Sequence, residues 1–163
     1  MGEVLAEKIA RARELLRTVR HAAMATVNED GSPHNTPYFF MCSPDLKYLY
    51  WGSQPGTQHS QNVARTRQIF VVLYDAQEKG GLYIRADEGH VTEDVELEEA
   101  LAAHNARKAT EGKAPLPLSY YQDGTQHMYM ATTRQFWVYD PERDAEGIII
   151  RDRRREITRE DLL

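Results

Sequence analysis

Between residues 21 and 75 the chain passes through short apolar runs separated by turn chemistry, and this succession constrains the fold more than any other feature. "AAMATV" and "PYFFMC" flank Asn28-Glu29-Asp30-Gly31, a glycine-containing turn of the kind that joins antiparallel strands. Pro44-Asp45 makes a second turn, and "YLYWGS" begins a third strand. "QIFVVLYD" is wholly apolar, β-branched and aromatic, which predicts a buried strand at the centre of the sheet.

Helices bracket these strands. Leu5, Ile9, Ala12, Leu16 and Val19 recur at steps of four and three, the spacing of one apolar helical stripe over residues 4 to 19. A second helix is predicted at 93 to 109, with Thr92 as its cap, Glu93 and Asp94 in the first turn, and Arg107 and Lys108 in the last. Leu97, Leu101 and His104 line one face of it. "GGLYIRADEGHV" and "HMYMATTRQFWVYD" alternate as strands do, and "GIIIRDRRREI" predicts a closing hairpin after Pro141. Residues 111 to 126 show no period and read as a long loop beside a pocket. Six or seven mostly sequential strands with two or three helices predict a mainly β fold, an antiparallel barrel with flanking helices.

The chain has 163 residues, a length that suits one domain spanning 1–163. Hydrophobic residues make up 41% and charged residues 28%, enough for a filled core and a solvated surface. A net charge of -5 gives no general attraction to nucleic acid or to an anionic membrane, and neither is an expected partner. Cys42 stands alone, so internal disulfides and cysteine-rich zinc sites are excluded and a reducing compartment fits. The start "MGEVLAEKIARARELL" is a charged amphipath rather than a signal peptide, and no run reaches the length of a membrane span. The expected location is cytoplasmic.

"TQHSQNVART", from Thr57, carries the chemistry. The first-turn N–H groups of a helix starting there have no partner inside the helix and, with the positive end of its dipole, suit a phosphate. Thr57, Gln58, His59 and Ser60 add side-chain donors, and Arg65 and Arg67 add charge. The simpler reading keeps Thr57 as a cap, His59 as a surface residue and Asn62 as a brace for the following loop.

The order of the N-terminal helix, the hairpin around "VNEDGSPHNTPYFF", "YLYWGS", "TQHSQNVART", "QIFVVLYD" and "GLYIRADEGHV" resembles the pyridoxamine 5'-phosphate oxidase-like family of flavin-binding split barrels. The resemblance covers residues 10 to 92 and, more loosely, the "QFWVYD" region. It implies a six-stranded split barrel, a homodimer, and FMN in a cleft between subunits. On that resemblance, Asn35, Thr36, Pro37 and Tyr38 pass under the isoalloxazine ring and offer it backbone groups. Gly52 and Ser53 end the phosphate-binding strand, Ser53 being the hydroxyl residue and His59, six positions on, the basic one. Thr57, Gln58 and Asn62 complete the cofactor contacts, and Trp137 matches the aromatic residue that approaches the flavin from the other subunit.

The chain also departs from the family pattern. His59 replaces a permanently charged Lys or Arg and, with an ordinary pKa of about 6.5, makes phosphate binding sensitive to pH. "YFFMC" lacks the Lys of the true oxidases, "IIIRDRRREI" lacks the Arg-x-His pair that grips the pyridoxal substrate, and His127 stands where relatives often have Arg. Pyridoxamine phosphate is therefore not the expected substrate.

Other chemistries lack support. His21, His34, His59, His90, His104 and His127 include no pair one helical turn apart and no HExxH, so no metal site is expected. GxSxG and GxGxxG are absent, and the run Arg151, Arg153, Arg154 and Arg155 reads as a solvated face. No acid or base stands out as catalytic. The leading expectation is an FMN-dependent oxidoreductase acting on an unidentified small molecule. The alternatives on the same barrel are a non-catalytic flavin or haem carrier or sensor, and a dimeric module with no cofactor.

Overall fold

The computed structural model describes residues 2–75 and 80–163, with side chains from residue 5 onward. Helix α1 (Gly2–Thr18) leads into β1 (His21–Val27), β2 (Pro33–Phe39), β3 (Met41–Cys42) and β4 (Tyr48–Ser53). After α2 (Gln58–Thr66) come β5 (Ile69–Leu73), β6 (Leu82–Val91), α3 (Asp94–Ala109) and β7 (His127–Tyr139). The C-terminal strands are β8 (Glu142–Arg143), β9 (Ile149–Arg151) and β10 (Arg154–Ile157).

The main sheet runs β2-β1-β5-β6-β7-β4-β3, antiparallel throughout, with β10 added to β7. Its two ends are consecutive in sequence. β2 pairs with β1, and the same chain, after Phe40, pairs with β4 as β3. One segment, 33–42, therefore holds both ends of the sheet and curls it into the expected six-stranded barrel. β2 and β4 share no ladder among the described residues, and the barrel is split between them.

Alternation fills the interior. Met24, Trp51, Val71, Leu82, Ile84, Ala131 and Phe136 point inward from five strands and are buried. α1 closes one side with Ala12 and Leu15 fully buried and Leu5, Ile9, Leu16 and Val19 packed around them. Leu15 was outside the predicted stripe because the buried face is wider than a single seam. Arg107, in the last turn of α3, donates to the carbonyls of Leu16, Arg17 and Val19, so one helix end satisfies the C-terminal carbonyls of another.

Several expectations change in detail. β5 is not buried on both faces: Ile69, Val71 and Leu73 point in, while Phe70 and Val72 lie half-buried on the outside. Uniformly apolar composition conceals that alternation. The central strand is β7, which pairs with β4, β6 and β10. Glu93, not Thr92, caps α3, through a reciprocal capping box with Glu96. Thr92 instead donates its hydroxyl to the Met128 carbonyl. The expected closing hairpin divides, β9 pairing with β8 and β10 with β7. Within the 111–126 loop, Leu118–Tyr121 forms a 3₁₀ turn that buries Tyr121. The Tyr121 hydroxyl meets His104 Nδ1 at 2.9 Å. No helix among the described residues is long and apolar enough to cross a membrane.

Candidate functional site

α2 starts where β4 ends, at the mouth of the barrel beside the split. Asn62 fixes it there. Its side chain is buried, donating to Thr26 Oγ1 at 3.0 Å and Asn28 Oδ1 at 2.9 Å on the first hairpin and accepting from Gln58 Nε2 at 3.0 Å. The predicted cofactor residue Asn62 thus braces the preceding hairpin rather than the following loop, and its amide is spent within the protein. Val63 packs against the glycine at 89, where a Cβ would lie 2.7 Å from Val63 Cγ1. Only glycine lets β6 approach α2 so closely.

The structure brings Ser53, Thr57, His59 and Ser60 into one cluster. Ser53 Oγ lies 2.7 Å from His59 Nε2, 2.9 Å from Thr57 Oγ1, 3.0 Å from Ser60 Oγ and 3.2 Å from the Gln54 carbonyl. One hydroxyl proton and two lone pairs cannot serve all four at once. Thr57 occupies the N-cap position with extended backbone but makes no side-chain cap bond to α2, so its role as a simple cap is not realised. Its hydroxyl turns instead to the Gln54 carbonyl at 3.0 Å. The first turn also contains no acidic residue. The helix start therefore presents uncapped N–H groups and hydroxyls that lack a good common acceptor, the arrangement an anion completes.

Histidines line the same mouth. The His34 ring, on β2, stacks on His59 with centroids 6.5 Å apart and planes 14° from parallel, so the imidazole pair spans the split. His127 is paired in register with Ser53, which puts both side chains on one face of the sheet. Burial, reinforced by His34, holds the His59 pKa below its ordinary value. The predicted contribution of Arg65 and Arg67 is not realised. Arg65 lies about 12 Å along the helix from Thr57, at 1.5 Å per residue, and is bound to the Val27 carbonyl, while Arg67 reaches the Gly89 and Glu88 carbonyls.

The remaining candidates divide by location. Asn35 and Pro37 are exposed and Thr36 half-buried on β2, whose second edge carries no ladder partner among the described residues and so leaves backbone groups available. Tyr38 turns its ring into the barrel, where burial pushes its hydroxyl pKa well up and no hydrogen-bond partner meets it. Gly52 lies under Tyr121, whose hydroxyl would sit 2.9 Å from a Cβ at that position. Gln58 is exposed. Trp137 is ten residues along β7 from His127, about 30 Å at strand rise, and packs against Phe70 at 6.0 Å. It does not reach the cluster within one protomer. Trp51 is buried and stacks on Tyr129 at 5.5 Å, so its ring belongs to the core. Sequence reasoning missed His34 and the pairing of His127 with Ser53, since both depend on register between distant strands.

A small antiparallel split barrel with an anion-ready helix start at its mouth defines the class. The sequence matches the family model for pyridoxamine 5'-phosphate oxidase over residues 9–143, and the chain belongs to that family. No curated protein matches it. Among solved structures it resembles a haem binding protein from Mycobacterium smegmatis at 16% identity and TM-score 0.65, covering 96% of this chain and 59% of that one, less than two thirds of that protein's length. HutZ, the haem storage protein from Vibrio cholerae, is similar at 20% identity and TM-score 0.60 over 77% of this chain and 90% of that one. A Clostridium acetobutylicum protein related to general stress protein 26, of the pyridoxinephosphate oxidase family, is similar at 15% identity and TM-score 0.58 over 82% and 89% of the two chains. At these identities the likeness is one of fold.

Proposed function

We propose that the chain is an FMN-dependent oxidoreductase of the cytoplasm, working as a homodimer on a small molecule other than pyridoxamine phosphate. The uncapped start of α2 beside Ser53, Thr57 and His59 carries this reading, because its donors suit a phosphate and family membership supports a flavin. Bound FMN supplies the hydride or electron transfer. Ser53 and Thr57 hydroxyls and the first-turn N–H groups hold its phosphate, His59 donates from Nε2, and the open edge of β2 at Asn35–Tyr38 presents backbone groups to the ring. All 163 residues are taken as one cofactor-binding unit.

Two features of the single chain support the homodimer. Ala23, Ala25, Phe70, Val72, Tyr83 and Trp137 form a half-buried, largely apolar outer face on β1, β5, β6 and β7. On the family resemblance, a second copy is what would place Trp137 near a flavin, since Trp137 does not reach the cluster of its own protomer. The test is titration with FMN followed by flavin fluorescence and absorbance, then addition of NADH or NADPH. Saturable quenching and bleaching on reduction support the oxidoreductase; no binding at micromolar FMN sinks it.

A second reading, a haem or flavin carrier, draws on the imidazoles of His34 and His59 at the mouth and on haem-binding proteins with this fold. A Soret band on haem titration, with no FMN binding, would favour it.

A further inference from the structure

Tyr50 and Ser53 lie three residues apart on β4 and so point to opposite faces of the strand. Ser53 belongs to the phosphate cluster. Tyr50 faces outward into a cleft of about 880 Å³ between α3 and the β3–β4 hairpin. Its walls are mainly apolar: Met41 and Tyr48 on the hairpin side, and Ala102, Ala103 and Ala106 on α3, where small side chains leave the space open. Ligand pockets in proteins are of this kind, roughly 300–1,000 Å³, apolar with a few polar groups.

The polar groups in the cleft are not equally committed. Arg107 spends its guanidinium on the carbonyls of Leu16, Arg17 and Val19. Asp45 accepts from the Ser43 hydroxyl and the Lys47 N–H, and the Lys47 ammonium sits 5.0 Å over the Tyr48 ring. Two groups remain. Tyr50 is 1% exposed, yet its hydroxyl has no hydrogen-bond partner among the described residues. Glu99 has no ion pair among them and lies close enough for its charge, after burial, to help push the Tyr50 pKa up to about 12. The cleft thus offers a firmly protonated donor, a nearby carboxylate acceptor and aromatic and alanine walls. A partner that accepts from Tyr50, donates to the exposed Glu99 carboxylate and carries no negative charge would engage both.

We propose that this cleft is a second ligand site, separate from the phosphate cluster, for an uncharged planar aromatic molecule bearing a carboxamide or an equivalent paired acceptor and donor. The carbonyl oxygen accepts from the Tyr50 hydroxyl, the amide N–H donates to Glu99, and the ring lies against Ala102 and Ala106.

The test uses 2-naphthamide against 2-naphthoate, which share a ring system and differ in charge. Calorimetry and spectra of the full chain labelled at alanine methyls provide the readouts. The amide is expected to bind at least tenfold more tightly than the acid and to shift the methyls of Ala102, Ala103 and Ala106. Tyr50→Phe should weaken amide binding tenfold or more without lowering the thermal midpoint, since the lost hydroxyl has no partner in the protein. Glu99→Gln should reduce the preference over the acid, and Ala106→Phe should fill the cleft and abolish binding. Absence of amide binding, equal affinity for the two probes, unchanged affinity in Tyr50→Phe, or displacement of the amide by FMN would each overturn the proposal. FMN titration in the Tyr50→Phe variant keeps this outcome distinct from the phosphate-site reading, because that substitution should leave FMN affinity unchanged.

Discussion

Ser53 Oγ and His59 Nε2 lie 2.7 Å apart across six residues of chain, which fixes the imidazole at the start of α2 and orients its nitrogen toward the helix mouth. If that nitrogen donates to a bound phosphate, His59→Ala weakens FMN by about 1–3 kcal/mol. Ser53→Ala weakens it by a similar or smaller amount. Fluorescence titration at pH 6 and pH 8 measures both, and unchanged dissociation constants in both variants would remove the phosphate from this site. His59→Lys, which restores a permanent charge, should bind FMN at least as tightly and lose most of the pH dependence.

The protein without ligand should behave oppositely toward acid. Burial, then the His34 charge, lowers the His59 pKa, and burial, then Lys108, lowers that of His104. Both groups are therefore harder to protonate folded than unfolded. The stability they confer is complete above the unfolded value near 6.5 and is lost as pH falls through the folded values. The thermal midpoint should drop between pH 7 and pH 5, and the double variant His59→Gln/His104→Gln should flatten that fall. FMN should offset the loss, since a bound phosphate favours the charged imidazole.

Asn62 links three elements by side chain alone. Asn62→Ala leaves Thr26, Asn28 and Gln58 without their shared partner and is expected to cost about 1–3 kcal/mol in urea unfolding. A change below the error of that measurement would show that water replaces the amide at no cost.

Gly52 and Tyr121 tie the long loop to the barrel. Gly52→Ala puts a methyl 2.9 Å from the Tyr121 hydroxyl, so the Tyr121 ring must shift, which disturbs its bond to His104. A loss of about 1–3 kcal/mol is expected from this overpacking, together with faster proteolysis within residues 111–126. Equal cleavage rates in the two proteins would show that Tyr121 does not hold the loop.

The outer aromatic face offers a test of self-association. Phe70 and Trp137 pack at 6.0 Å, with the Arg154 guanidinium 5.4 Å from the Phe70 ring. Trp137→Glu places a charge on the β7 side of this face and should halve the molar mass measured by light scattering. A wild-type mass of one chain, or a mass unaffected by the substitution, would refute the dimer.

The strands were legible because their signals are local. Alternation in β1 and β6, the turn at Asn28–Gly31 and the stripe from Leu5 to Val19 depend on residues within a few positions of one another, and so do the place and length of α2. The hydroxyls of Thr57 and Ser60 could be named from sequence for the same reason, whereas Ser53 was named by the family resemblance. What local pattern cannot carry is register and reach. The stacking of His34 on His59, the pairing of His127 with Ser53, the remoteness of Trp137 and the direction of Arg65 and Arg67 arise where segments far apart in the chain meet. Sequence determined which segments become strands and helices, because hydrogen-bond period and turn chemistry are short-ranged. The curled, split barrel decided which side chains share its mouth, because their meeting depends on strand pairing across the whole chain.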